Sequence, residues 1–171
     1  YCSAICCMYA TKEAMLAKQR LPEVEAHIFT MDERAFNKEY NAYYLQARDR
    51  FGVEYTRCRI SEIREDPATR DLIVRYPDGR RHAAEHDAPG QGPMVEGRYD
   101  MIVLAVGVRP PENAEHLART LDIELNEYGF CQTDKFTPLE TSRPGVFVCG
   151  AFASPKEIGE TLIDASGAAA E

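Results

Sequence analysis

The sequence predicts an α/β fold with a largely parallel core and a small antiparallel addition, and three observations predict it. Apolar runs at 26–31, 101–106 and 146–149 read as strands buried on both faces. Helical patterns alternate with these strand-like stretches, the order expected of a parallel α/β sheet. A Pro-Asp-Gly turn at 77–79 follows a further strand and predicts an antiparallel hairpin near 72–90.

Taken in order, residues 7–19 (CMYATKEAMLAKQ) are rich in helix formers, and Met8, Ala10, Ala14, Met15 and Ala17 can share one face. EAHIFTMD (25–32) is a short buried strand ending at Asp32, with His27 as a satisfied core histidine. RAFNKEYNAYYLQARDRFG (34–52) is a helix stopped by Gly52, and its Tyr40, Tyr43, Tyr44 and Phe51 stripe reads as core. VEYTRCRISEI (53–63) alternates as a strand, and DLIVRYPDGRRH (71–82) is a strand followed by a turn. HDAPGQGPMVEG (86–97) is a polar loop, and His82 and His86 are read as loop residues. The 101–106 strand ends at Gly107, Pro110 and Pro111 precede a helix over 112–121, and 129–134 is a short strand. RPGVFVCGAFASPKEIGETLIDASGAAAE closes the chain as turn, strand, glycine turn and helix, with Pro155 at the first helical position.

The 171 residues are 44% hydrophobic and 28% charged, enough to bury a core. A net charge of -8 argues against nucleic acid or an anionic membrane as partner. No apolar run approaches the roughly 20 residues that span a bilayer. Residues 1–20 carry Lys12, Lys18 and Arg20 without an uninterrupted apolar stretch, so no secretory leader is read there. The absence of an initiator Met before a loaded motif reads as the interior of a longer protein. Six cysteines are not taken as three disulfides. Cys58, Cys131 and Cys149 fall in strand-like runs and are read as small hydrophobes, which places the chain in a reducing cytoplasm.

Chemistry concentrates in three stretches. TSRPGVFVCGAF (141–152) resembles the last FAD-contacting strand of two-dinucleotide-domain flavoproteins, with Gly150 as the glycine that lets backbone approach the cofactor. The helix begun by SPKEIGETL would then aim its N–H groups at the flavin, which makes Gly150, Ala151, Pro155, Ile158 and Gly159 the candidate cofactor-binding residues. Ala151 stands where that family carries an Asp that anchors the ribityl chain. YDMIVLAVGVRPPENAEHLA resembles the strand and turn that lead from the nicotinamide-type domain back to the flavin domain. The third stretch, CSAICCMYATKEAM, sits where a glycine turn would open the second dinucleotide domain. The glycines that admit a pyrophosphate are missing, so Asp32 at the end of the 25–32 strand is not read as an NAD ribose ligand. Thiols stand instead at a helix start, where the dipole favours negative charge, and soft thiolates select iron–sulfur clusters or zinc. Cys-x3-Cys-Cys supplies three ligands where a cubane or tetrahedral zinc needs four.

Together these stretches, with GFCQTDKFTPLETSRPGVFVCGAFASPKEIGET and DASGAAAE, resemble the heterodisulfide reductase A-subunit family, whose members are flavin and iron–sulfur proteins with a thioredoxin-reductase-like core. The resemblance covers nearly the whole chain. It implies a Rossmann-like fold: residues 1–108 as a nicotinamide-type lobe with the Cys motif replacing the glycine loop, and 109–171 as the C-terminal part of the FAD lobe. It also implies FAD and a [4Fe–4S] cluster as cofactors, with Cys2, Cys6 and Cys7 as cluster ligands and the fourth outside this chain. The three thiols are expected to converge at the helix mouth beside the place where Gly150 meets the flavin. The implied activity is an oxidoreductase that passes electrons between FAD and the cluster, with no catalytic acid or base and with both cofactors incomplete or absent in this piece. Implied partners are other members of a multi-subunit redox complex and ferredoxin-type electron carriers. Two other readings stay open. One is a fragment of an NAD(P)H-dependent pyridine nucleotide–disulfide oxidoreductase, which would need a glycine loop and a paired-cysteine redox motif. The other is a zinc-stabilised docking domain.

Overall fold

A computed structural model of the chain describes residues 2, 3, 5–78 and 92–171. By its contacts the chain divides into two compact units, Cys6–Ala105 and Tyr1–Ile5 with Val106–Glu171.

The first unit opens with α1 (Cys6–Arg20), β1 (His27–Thr30), α2 (Tyr40–Asp49) and β2 (Glu54–Arg57). β1 and β2 pair in parallel, His27 opposite Glu54 and Thr30 opposite Arg57, so β1-α2-β2 is one βαβ unit. α1 packs on α2 and β1. Its buried face is Met8, Thr11 and Met15, a spacing of three and four residues. Ala17, expected on that face, is exposed. Thr11 is fully buried because its hydroxyl hydrogen-bonds with Tyr55 Oη at 3.0 Å. Met15, Ala47 and Val53 form the core here, with Ile28, Tyr43 and Phe51 against it.

The stretch 53–63 is two strands in different sheets rather than one. After β2, β3 (Glu62–Glu65), β4 (Leu72–Pro77) and β5 (Met94–Tyr99) form an antiparallel sheet in that order. This is the expected antiparallel addition, a three-stranded sheet rather than a hairpin, with β3 and β5 on either side of β4. β5 takes Met94–Gly97 out of the expected loop. The predicted turn beyond residue 78, the rest of that loop to residue 91, and His82 and His86 lie outside the described residues. Cys58, Val74 and Tyr76 are buried together, with Phe29, Ile60, Val95, Tyr99 and Ile102 against them. His27 is satisfied in this core: Nε2 lies 2.8 Å from Thr56 Oγ1 and Nδ1 2.9 Å from Tyr99 Oη.

The expected buried strand 101–106 is not formed. Its backbone is irregular, and Met101, Val103, Leu104 and Val106 are 65–84% exposed. A strand is fixed by a partner's N–H and C=O groups, and no described strand pairs with this run. The second unit holds α3 (Ala114–Leu121) and α4 (Ile158–Ala168), with a 3₁₀ turn at Gly150–Phe152. The expected strands 129–134 and 146–149 are reduced to single bridges, Leu125 with Cys131 and Glu140 with Phe147. Ala118, Ile123, Cys131, Val148 and Ala153 form this unit's core.

Candidate functional site

The thiols that open the chain fall on two local structures. Cys6 and Cys7 begin α1, both half-buried, and no acidic residue stands in that first turn. The Cys7 thiol donates to the Asp32 carbonyl at 3.7 Å, tying the helix start to the end of β1. Cys2 is exposed in the preceding segment, next to buried Ser3. Ser3 Oγ accepts the Val108 N–H at 2.8 Å. No disulfide joins any of the six cysteines in the structure. The donor chemistry of Cys2, Cys6 and Cys7 therefore fits a thiophilic metal or an iron–sulfur centre. Among the described residues no group of three or more His, Cys, Asp or Glu is arranged to hold a metal ion. Cys2 belongs to one compact unit and Cys6 and Cys7 to the other. Cys58 and Cys131 are core residues, and burial pushes both thiols up. Cys149, expected in the core, is exposed because its run forms no ladder and leaves it outside the Val148 cluster.

The second candidate stretch is contiguous. Gly150 is buried with φ +66°, and a Cβ there would stand 2.7 Å from Thr161 Cγ2, so the turn demands glycine. Its N–H is already bonded to Asp164 Oδ2 at 3.1 Å, and Asp164 also pairs with Lys156. Ala151 is exposed and Pro155 half-buried; Ile158 and Gly159, both exposed, begin α4. Pro155 is not at the first helical position. Glu157 and Glu160 form a reciprocal capping box that starts the helix at Ile158 and places Pro155 in the turn before it. The two carboxylates occupy backbone N–H groups of the first turn, the Glu160 side chain accepting from Glu157 N at 3.0 Å. This end of α4 fits an uncharged part of a flavin approaching exposed backbone. It does not fit a pyrophosphate, which would meet carboxylates there.

A third feature has no counterpart among the sequence expectations. Where β1 and β2 end, a cavity of about 290 Å³ is lined by Thr30, Asp32, Glu33, Tyr44, Tyr55 and Arg57. Both Glu33 carboxyl oxygens are buried without a hydrogen-bond partner. Burial, and after it the charge of Asp32, holds this carboxyl above the usual carboxylate range. Burial likewise pushes Tyr55 up to about 12. Arg57 is engaged by Asp32 at 3.6 Å and by the Met31 carbonyl at 3.2 Å. The signal for it in the sequence is position: ligands of parallel α/β sheets bind beyond the carboxyl ends of strands, and Glu33 follows the Asp32 that ends the first one.

The chain is 38% identical over 99% of its length to an iron–sulfur A subunit of CoB–CoM heterodisulfide reductase from Methanopyrus kandleri, covering 25% of that protein. It is 40% identical over 99% of its length to the corresponding protein of Methanocaldococcus jannaschii, covering 24% of it. It is 37% identical to the A subunit of the H2:CoB–CoM heterodisulfide, ferredoxin reductase of Methanothermobacter thermautotrophicus, with 99% and 24% covered. The chain thus spans about a quarter of the length of the curated relatives it matches. Residues 3–169 match one family throughout, and the chain belongs to the pyridine nucleotide-disulphide oxidoreductase family.

Proposed function

We propose that this chain is part of a flavin- and iron–sulfur-dependent electron-transfer protein of the heterodisulfide reductase A-subunit kind. The observation that carries the reading is the similarity to those proteins across nearly the whole chain. The cysteine triplet where a dinucleotide-binding domain carries glycines supports it. When bound, FAD supplies one- or two-electron chemistry and a [4Fe–4S] cluster one-electron chemistry.

The chain's own residues hold and orient. Cys2, Cys6 and Cys7 are three thiolate ligands, and a fourth comes from elsewhere in the longer polypeptide. Gly150 and Ala151 present backbone to the flavin, while Pro155, Ile158 and Gly159 form the turn and helix start beside it. Asp164 and Lys156 fix the Gly150 turn. The partners are the other members of a multi-subunit redox complex and ferredoxin-type carriers, and the compartment is the cytoplasm; no described helix is long and apolar enough to cross a membrane.

The test is anaerobic reconstitution of the longer polypeptide. It should bind about four irons and four sulfides beyond those of any other cluster. Replacing Cys6 and Cys7 together by Ala should remove that iron and its visible absorbance while FAD stays bound. Retention of the cluster in the double variant would show the thiols to be structural. Zinc in place of iron and sulfide would favour a docking domain.

A further inference from the structure

We infer that Ser3 is a positioning residue for the first thiol, a role that rests on the reading of Cys2 as a cluster ligand. Cys2 is exposed, yet the residue beside it is 4% exposed and anchored. The Ser3 hydroxyl accepts the Val108 N–H at 2.8 Å, across a separation of 105 residues. The neighbouring Gly107 is shaped for the same contact: its φ is +99°, and a Cβ built on it would lie 2.7 Å from Ser3 Oγ. A side chain at 107 would therefore both strain the backbone and displace the serine. The segment that carries Cys2 is in this way clasped to the turn after residue 106, independently of the helix that carries Cys6 and Cys7.

The clasp has a chemical consequence. An exposed segment end samples many rotamers and backbone states, and ordering it costs free energy each time a ligand set closes. The hydrogen bond to Val108 fixes the backbone next to Cys2 beforehand. It uses the serine oxygen as the acceptor of the Val108 N–H. Hydrogen bonds to cluster sulfurs and supporting contacts to ligands set the reduction potential.

The experiment uses the longer polypeptide with its cluster, and compares Ser3→Ala, Ser3→Thr and Cys2→Ala. Amide exchange at Val108 and the electron paramagnetic resonance spectrum and midpoint potential of the reduced cluster are read on each. Ser3→Ala should speed Val108 exchange by about fivefold to tenfold, the loss of one hydrogen bond. It should also shift the cluster's spectrum and potential. Ser3→Thr, which keeps the hydroxyl, should restore both. Cys2→Ala should abolish that signal. If Cys2→Ala abolishes the signal but Ser3→Ala leaves it unchanged, Ser3 is structural and the inference fails alone. If Cys2→Ala leaves the signal intact, Cys2 is no ligand and the underlying reading fails with it.

Discussion

Glu33 carries the sharpest electrostatic conflict among the described residues. Its carboxyl oxygens are buried and unpaired, and its protonation is favoured by burial and by Asp32. For an acid whose folded pKa lies above its unfolded value, the folded state binds more protons between the two values. Stability is then fully present below the ordinary carboxylate pKa, falls as pH rises through the window above it, and stays reduced at neutral pH. Glu33→Gln keeps the shape and removes the ionisation. It should raise the midpoint of thermal unfolding at pH 7 and converge with the parent below pH about 4. Parallel curves for the two proteins from pH 4 to 8 would show that Glu33 does not titrate abnormally. Gly150 makes the opposite case, a residue defined by what it lacks. With φ +66° and Thr161 Cγ2 in the way, Gly150→Ala should cost about 1–3 kcal/mol in denaturant unfolding. Thr161 is poorly placed to yield, because its hydroxyl donates to the Glu157 carbonyl at 2.8 Å. A loss within about 0.5 kcal/mol would mean that the turn re-forms around a side chain.

Among the elements, those that bury their own face are legible in the sequence. α1, α2 and α3 carry their helical pattern locally, although the helix expected over 34–52 forms only at Tyr40–Asp49, and β4 finds partners in the same sheet. The βαβ order around α2 follows from the alternation of elements, and the Gly150 turn follows from the glycine's place after an apolar run. What the sequence does not supply is the partner. The run 101–106 has the composition of a central strand, but composition does not hydrogen-bond; only Ile102 is packed in a core cluster. The start of α4 differs from expectation because Pro155 is a helix-start signal three residues before the true first residue, and the capping box outweighs it. Burial of Glu33 at a strand end leaves no residue pattern, and only its place after Asp32 points to it. These differences make a mutational contrast. Val103→Lys should change the stability of this chain by no more than about 0.5 kcal/mol, since the side chain is 70% exposed. Met15→Ala, at 4% exposure, should cost about 2–5 kcal/mol. A large loss from Val103→Lys would mean that the run is paired in solution.

Across the whole molecule, the question is whether these 171 residues by themselves hold a dinucleotide. Three observations argue that they do not. The N-terminal segment has thiols and larger side chains where a pyrophosphate needs glycine. The start of α4 is closed by the Glu157 and Glu160 carboxylates, and the Gly150 N–H is held by Asp164. The net charge of -8 gives no long-range attraction for a phosphate-bearing ligand. Against them stands the cavity beyond β1 and β2, which Asp32 lines, but Asp32 is engaged by Arg57 and the carboxyl oxygens of its neighbour Glu33 are buried. The purified chain should therefore be nearly colourless, and calorimetric titration with NADH or NADPH should show no saturable heat. Flavin bound in one-to-one ratio would mean that one edge of the site is enough to hold FAD. Micromolar NADH binding lost on Asp32→Ala would instead return the chain to nicotinamide chemistry, because only an intact ribose contact at the end of β1 would give that pair of results.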